Sequence, residues 1–426
     1  MKRIGAAVRY EQQISKCFAA EIGPDGLTPD AYSEALARTA PALAQLSAWR
    51  AAGSHPFLRY SDKSDDLPVL GRVAGQLRER FKKIAVIGVG GASLGGQAVT
   101  ALAARADTET TTLVFLDNPN SARLEAALAD EADTGFVVIS KSGATAETLA
   151  QTLLALKHAP ADRFLFITEP GDNPLRDLAG GLGITVLDHD PELGGRFSVF
   201  SVVGVLPALI SGLDAGALRR GASEALDAAL SAAEPADAAP AAGAALALAM
   251  AQRLSAAIFM PYDDRLLALA HWQRQLWAES LGKGGHGATP VVARGATDQH
   301  SQLQLYLDGP ADKLFTLITV GMPAGGPRIS GKLAAMAGAD YLAGKSLDEL
   351  MAAEASATRD ALGEAGRPVR EIVLQVLDEA ALGALMMHFM LETVIIALCL
   401  NIDPFDQPAV ERGKALVREY LRHGRS

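Results

Sequence analysis

Ser140, Lys141, Ser142, Gly143 and Thr145 crowd the middle of "FVVISKSGATAET", a run that begins as a strand and ends as a helix. The three hydroxyls can donate hydrogen bonds, Lys141 adds a cation and Gly143 permits a tight turn. A helix expected from about Ala144 turns free backbone N–H groups toward the same spot. A phosphomonoester carries three acceptor oxygens and nearly two negative charges, which suits such a nest. The rival explanation is a helix capped more than once, with Glu147 as capping-box partner.

A glycine-rich turn lies upstream in "IAVIGVGGASLGGQAVTAL". Gly88, Gly90, Gly91, Gly95 and Gly96 let the backbone approach a ligand at a positive helix end. Sugar or phosphate contact, nucleotide binding and plain tight packing all stay open for this loop. The dinucleotide pattern counted from Gly88 needs glycine where Ser93 stands, and Asp117 follows about thirty residues on instead of ~20.

Four more segments carry groups that could do chemistry. "HWQRQLWAESLGKGGHG" sets Gln275 and Glu279 on one face of a helix ending near Leu281. "ATDQHSQLQLYLDG" places His300 in the first turn of another helix. "DPFDQPAVERGKALVREYL" offers Asp406 as a helix N-cap and spaces Gln407 and Lys414 two turns apart. "LGGRFSVFS" puts Arg196 behind Gly194 and Gly195. Taken singly, each has an ordinary explanation: a solvated helix face, a structural histidine, a lysine in water, a loop with a surface cation.

The elements that must position these groups are read from the apolar pattern. Lys83–Gly90, Thr111–Asp117, Gly135–Ser140, Arg163–Thr168 and Gly183–Asp188 are short, nearly continuous apolar runs separated by helix-like stretches. Such alternation implies βαβ units and a parallel sheet covered on both faces. The pattern repeats in Ala256–Tyr262, Thr289–Gly295, Lys313–Val320 and Arg370–Leu377. The expected organisation is an N-terminal helical segment (1–81), a first α/β domain (82–215), an alanine-rich helical bridge (216–250), a second α/β domain (251–403) and a C-terminal helix (404–426). Thr28 or Asp30 starts an early helix. A cleft between two such domains is a usual place for a small ligand.

Composition narrows the class. A chain of 426 residues with 49% hydrophobic and 21% charged residues is ordinary for a globular protein of two or three domains. A net charge of -10 and a pI of about 5.4 argue against bulk binding of nucleic acid or anionic membrane, and leave room for a small basic pocket. Cys17 and Cys399 lack metal-type spacing and read as inert thiols in a reducing compartment. "MKRIGAAVRYEQQISK" has no apolar core of the secretory kind. The most apolar run, Ala384 to Leu400, contains His388 and Glu392 and falls short of the roughly 18 uninterrupted apolar residues of a membrane span. A buried core helix and a cytoplasmic location are expected.

Together, "GVGGASLGG", "SKSGATAET", "LGGRFSVFSVVGVLP", "QLWAESLGK", "DQHSQLQ" and "FDQPAVERGK", in that order, resemble the motifs of the glucose-6-phosphate isomerase family, in its shorter bacterial form. The resemblance runs from about Ile84 to Lys414. It departs at Ala92, where many members have serine, and at Ala409, where many have glycine. It implies two sugar-isomerase-type (SIS) domains, each a three-layer αβα sandwich with a parallel sheet, and reversible isomerisation of D-glucose 6-phosphate to D-fructose 6-phosphate. Residue by residue, it implies that Ser140, Lys141, Ser142 and Thr145 hold the substrate phosphate, with Gly91, Ala92 and Gly195 lining the site. Glu279 matches the base that moves the C2 proton to C1, and Arg196 the cation beside the enediolate. His300 and Lys414 match the ring-opening groups, and Gln275 and Gln407 orient hydroxyls. No cofactor or metal is implied, and the expected partner is a second copy, with His300 reaching across the interface.

Two other functional classes stand beside this one. A non-catalytic sugar-phosphate regulator of the same fold could keep the serine-rich nest without needing Glu279, Arg196, His300 and Lys414 together. A nucleotide-dependent oxidoreductase is disfavoured by Ser93. A glutamine-dependent amidotransferase of the same domain class needs an N-terminal nucleophile, and position 2 is Lys2.

Overall fold

The computed structural model describes residues 9–105, 111–129, 133–321 and 326–424. Lys2 and the rest of segment 1–8 lie outside the described residues. Among the described residues, ten strands form two five-stranded sheets. In chain order they are β1 (Tyr10–Gln13), β2 (Lys83–Ile87), β3 (Thr112–Leu116), β4 (Thr134–Ile139), β5 (Phe164–Thr168), β6 (Thr185–Asp188), β7 (Ala256–Pro261), β8 (Thr289–Val292), β9 (Lys313–Val320) and β10 (Val369–Leu374).

The first sheet has the order β3-β2-β4-β5-β6 and is parallel throughout, with Ile84 opposite both Leu113 and Gly135. The second has the order β1-β10-β9-β7-β8, parallel except at β1. Nine of these strands are the apolar runs expected from the sequence. The tenth, β1, was not expected: "YEQQ" has one apolar residue, yet Tyr10 and Gln12 are buried where the strand pairs antiparallel with the edge of β10.

Alternation across each pleat distributes side chains between three cores. Ala85, Ile87, Phe136 and Phe166 face outward under the helices that flank the first sheet. Ile258, Met260, Phe315 and Leu317 do the same in the second. The opposite faces share one core, which joins Ile84, Val86 and Val137 to Ala257, Phe259 and Ile372.

That shared core is built around the helix Glu379–Cys399, against which the helices Ala215–Leu230 and Ala239–Ala249 pack. The packing is close because it is made over glycine: a Cβ at Gly221 would overlap the Ala380 carbonyl, and one at Gly383 would overlap that of Leu218. The alanine-rich helix Ala239–Ala249 is interior and Ala215–Leu230 buries one face, with small side chains that let backbones approach. The 379–399 helix is long and apolar enough to cross a membrane, but 89% of its most apolar window is buried inside the protein.

The same helix carries a buried polar chain. Tyr10 Oη pairs with His388 Nδ1 at 2.8 Å, His388 Nε2 with Glu392 Oε2 at 2.9 Å, and Arg370 Nη1 donates to Glu392 Oε2 at 2.7 Å. Arg370 also donates to Thr316 Oγ1. Buried ions need such partners.

Candidate active site

Three connections lead into one region. Strand β2 ends at Ile87 and turns through the glycine loop, β4 ends at Ile139 and enters the serine-rich turn, and β6 leads by way of 189–194 to a 3-10 turn at Gly195–Phe200. Ligands of open parallel sheets sit beyond the carboxyl ends of the strands, which is where these turns lie.

In the serine-rich turn, Ser140 Oγ and Thr145 Oγ1 are 3.0 Å apart, and Ala144 N donates to Ser142 Oγ at 3.3 Å. Gly143 has φ +59°, and a Cβ there would collide with the Asn173 side chain, so the turn admits only glycine. Backbone ties fix the lysine between the serines: Glu169 N donates to the Lys141 carbonyl at 3.0 Å and Thr168 Oγ1 at 3.1 Å. The following helix begins at Ala146 with Thr145 as N-cap residue, and no side-chain cap bond is made. The capping box with Glu147, the rival explanation, is absent, because Thr145 Oγ1 faces Ser140 instead. The N-terminal amides of that helix are left for another acceptor.

Arg196 organises the second cluster. It is 2% exposed, and all its donors are engaged. Nε donates to Ser280 Oγ at 2.8 Å, and Nη1 to Glu279 Oε2 at 3.1 Å and Gln407 Oε1 at 2.7 Å. Nη2 donates to the carbonyls of Pro404 and Asp406, the latter at 3.0 Å. Burial pulls the guanidinium below its ordinary pKa while the Glu279 carboxylate opposes that pull, and an arginine so placed remains a cation. Glu279 itself is one-third exposed, and its Oε1 accepts from Gln275 Nε2 at 2.9 Å. Both residues lie on one face of the helix Leu267–Leu281, as expected. Gln275 Oε1 is buried and has no hydrogen-bond partner.

The glycine loop joins the two clusters. A Cβ on Gly88 would come within 3.0 Å of the Ile139 carbonyl, next to Ser140. One on Gly90 would meet Gln275 Nε2 at 2.9 Å, and one on Gly91 would overlap the Gly195 carbonyl carbon. Ala92 closes this 3-10 turn. The nest, the loop and the Arg196–Glu279 pair therefore form a single wall.

Two expected participants lie elsewhere in the chain. His300 is exposed and ends the 3-10 turn Thr297–His300, ahead of a helix that starts only at Leu303. Lys414 lies on the helix Glu411–His423, which buries none of its residues, and donates to Glu411 Oε1 at 2.7 Å. Neither is bonded to Arg196 or Glu279 among the described residues. Asp406 is not an N-cap, since Gln407 precedes the turn Pro408–Val410 and makes no cap bond; Asp406 Oδ1 instead accepts from Lys283 Nζ at 2.8 Å. Ser280 and Lys283 have no role that sequence alone assigns, although both stand in "QLWAESLGK" beside Glu279. A cavity of about 690 Å³ lies apart from this wall, at the ends of β7, β8 and β9, between residues such as Tyr262, Arg294, Thr297 and Glu371.

Comparison with known proteins bears on what such a wall is for. The family model described as phosphoglucose isomerase matches residues 69–297, just over half of the chain. A glucose-6-phosphate isomerase of Thermus thermophilus is 36% identical over 410 residues, covering 92% of this chain and 97% of that one. The chain belongs to the phosphoglucose isomerase family. Another relative, the glucose-6-phosphate isomerase of Rubrobacter xylanophilus, is 39% identical over 329 residues, 74% of each chain. The crystal structure of a hypothetical protein from Thermus thermophilus superposes with TM-score 0.81 at 34% identity, covering 92% of this chain and 98% of that one. The phosphoglucose isomerase match includes the nest, the glycine loop, Arg196 and Glu279. The expected α/β fold, with parallel sheets and helices at both ends, is the fold observed.

Proposed function

We propose that this chain interconverts D-glucose 6-phosphate and D-fructose 6-phosphate in glycolysis and gluconeogenesis, through ring opening and a cis-enediol(ate). Ser140, Lys141, Ser142 and Thr145, with the free amides of the following helix, hold the phosphate. Gln275 and Gln407 orient the sugar hydroxyls, with Gly91, Ala92 and Gly195 shaping the floor. Glu279 takes the proton from C2, and the electron pair left behind becomes the enediolate. That charge develops beside Arg196. The O2 hydroxyl proton passes to O1 and the carbon-bound proton returns to C1, which moves the carbonyl from C1 to C2; no electron leaves the substrate, so the chemistry needs no redox partner.

The carrying observation is the Arg196–Glu279 pair set against the glycine loop that also borders the nest. Before reaction, Arg196 Nη1 is shared between Glu279 and Gln407. As Glu279 accepts the proton its charge vanishes, and the N–H it held becomes available to the new oxyanion. The cation thus follows the negative charge from base to substrate without moving.

Ring opening falls to His300 and Lys414. The exposure of His300 fits a homodimer in which it serves the site of a second copy, in the cytoplasm. The test is a coupled assay for glucose 6-phosphate formed from fructose 6-phosphate, with and without chelator. Turnover indifferent to chelator is expected. No turnover, with sugar phosphate still bound, would mean a sensor.

A further inference from the structure

The loop that Arg196 grips is also held from its other side. Phe405, between the two carbonyls bonded to Arg196, places its ring 5.7 Å from Phe57, 5.3 Å from Phe197, 5.1 Å from His55 and 5.9 Å from Trp49. Trp49 stacks on His55 at 3.8 Å, and Phe57 meets Phe197 at 5.2 Å. Five rings from three distant parts of the chain therefore close around one point. Phe197 follows Arg196 directly, and the guanidinium lies 5.5 Å from its ring centre. Lys283 adds a second tie, donating to the Asp403 carbonyl and to Asp406 Oδ1.

Beyond this loop the described residues offer the C-terminus no buried anchor, since the helix 411–423 buries no residue. Gln407 is itself exposed, so its hold on Arg196 depends on the loop behind it. We propose that Phe405 is a positioning residue: a plug, seated in a socket of Trp49, His55 and Phe57, that fixes the 403–407 loop and through it aims Arg196 and Gln407 at the reacting carbons. The socket gives the N-terminal helices a role in the site, which they meet only where Phe57 packs on Phe197 beside Arg196. This rests on the isomerase reading above for its catalytic consequence, while the latch itself is a physical claim about the loop.

The effect must pass through geometry, and small displacements of positioned groups can cost on the order of 10²-fold in rate. Phe405→Ala is expected to lower kcat about tenfold or more with KM for fructose 6-phosphate within about threefold, a split that general loosening of the fold does not produce. Phe405→Leu, which keeps an apolar plug, recovers most of kcat. In a cycle with Gln407→Ala, the two losses are less than additive, because both act on one loop. Hydrogen exchange of peptides spanning 401–410 speeds up in Phe405→Ala, and this readout needs no turnover. If the wild type proves inactive, the isomerase reading fails while exchange still tests the latch. If the wild type is active and Phe405→Ala keeps kcat within twofold, or the 401–410 amides exchange as before, the latch is overturned. Should Phe405→Ala not fold, Trp49→Leu and His55→Ala, which open the socket and leave the plug in place, carry the test. A measurable fall in kcat in both at unchanged Tm is expected, and unchanged kcat in both overturns it.

Discussion

Replacing Glu279 by glutamine separates its chemistry from its contacts. The carboxylate receives Arg196 Nη1 on Oε2 and Gln275 Nε2 on Oε1. A glutamine can keep its oxygen toward Arg196 and turn its amide toward Gln275, whose own Oε1 is unpaired. Both contacts then survive after one amide rotation. The lost ion pair involves a group one-third exposed, so its removal should cost about 1 kcal/mol, a Tm shift of at most ~4 °C. Turnover behaves differently. A general base contributes typically 10²–10⁴-fold, so the barrier should rise by about 3–5 kcal/mol. The assay has three arms: coupled turnover, loss of the C2 hydrogen to solvent in D2O by NMR, and binding of a sugar-phosphate competitor. Turnover and exchange should fall together by at least a hundredfold, with competitor affinity within about threefold. Retention of a tenth of wild-type turnover, or C2 exchange surviving while turnover is lost, would refute Glu279 as the base. A collapse of Tm would make it a structural partner of Arg196 instead.

Ser140→Ala with Thr145→Ala should raise KM for 6-phosphosugars and weaken inhibition by inorganic phosphate, each hydroxyl–phosphate bond being worth roughly 1.5–3 kcal/mol; unchanged values in both would reduce the nest to a helix start. A mixed dimer of Glu279→Ala and His300→Ala subunits, isolated with two tags, should regain about half of wild-type turnover while each homodimer stays impaired, since one site then holds both native groups; no rescue would refute a shared site. Glu392→Gln should destabilise the fold by about 3–5 kcal/mol in denaturant titrations, because it leaves the Arg370 charge buried without its carboxylate; a loss below 1 kcal/mol would contradict the buried pair. Burial lowers the His388 pKa, and although burial alone would raise Glu392, Arg370 and His388 hold it below the ordinary range. Both native pKa values lie under the unfolded ones, so the stability they contribute is present above about pH 6.5 for His388 and about pH 4.5 for Glu392, and is lost as pH falls. Tm measured from pH 7.5 to 4.5 should decline accordingly, and His388→Gln should flatten the upper part of that decline.

The parallel strands were legible because burial on both faces writes them as unbroken apolar runs. β1 was not, because half of "YEQQ" is spent on polar groups that meet partners far along the chain: Gln12 Nε2 donates to the Ala239 carbonyl, and Tyr10 reaches His388. Glu279, Gln275 and Arg196 could be named from residue type and motif. What fixes Arg196 could not, since two of its acceptors are backbone carbonyls, which any residue supplies. Asp406 looked like a cap because Pro408 follows it closely, whereas its carboxylate was needed by Lys283. The depth of the alanine-rich helices was hidden by composition, for alanine suits a surface helix as well as an interior one. Only the matching glycines Gly221 and Gly383 hint that two helices touch there.

Among the described strands β1 is made first and β10 last, with Tyr10 opposite Leu374, 364 residues apart. At roughly 5–20 residues per second, a ribosome takes about 20–70 s to cover that distance. The shared core waits longer still, for the helix 379–399 that fills it. Through that interval the inner face of the first sheet and the alanine-rich helices are synthesised but uncovered. Until the C-terminal quarter has emerged that face has no partner from the 379–399 helix, and the second sheet is complete only once β10 has joined β1 to β9.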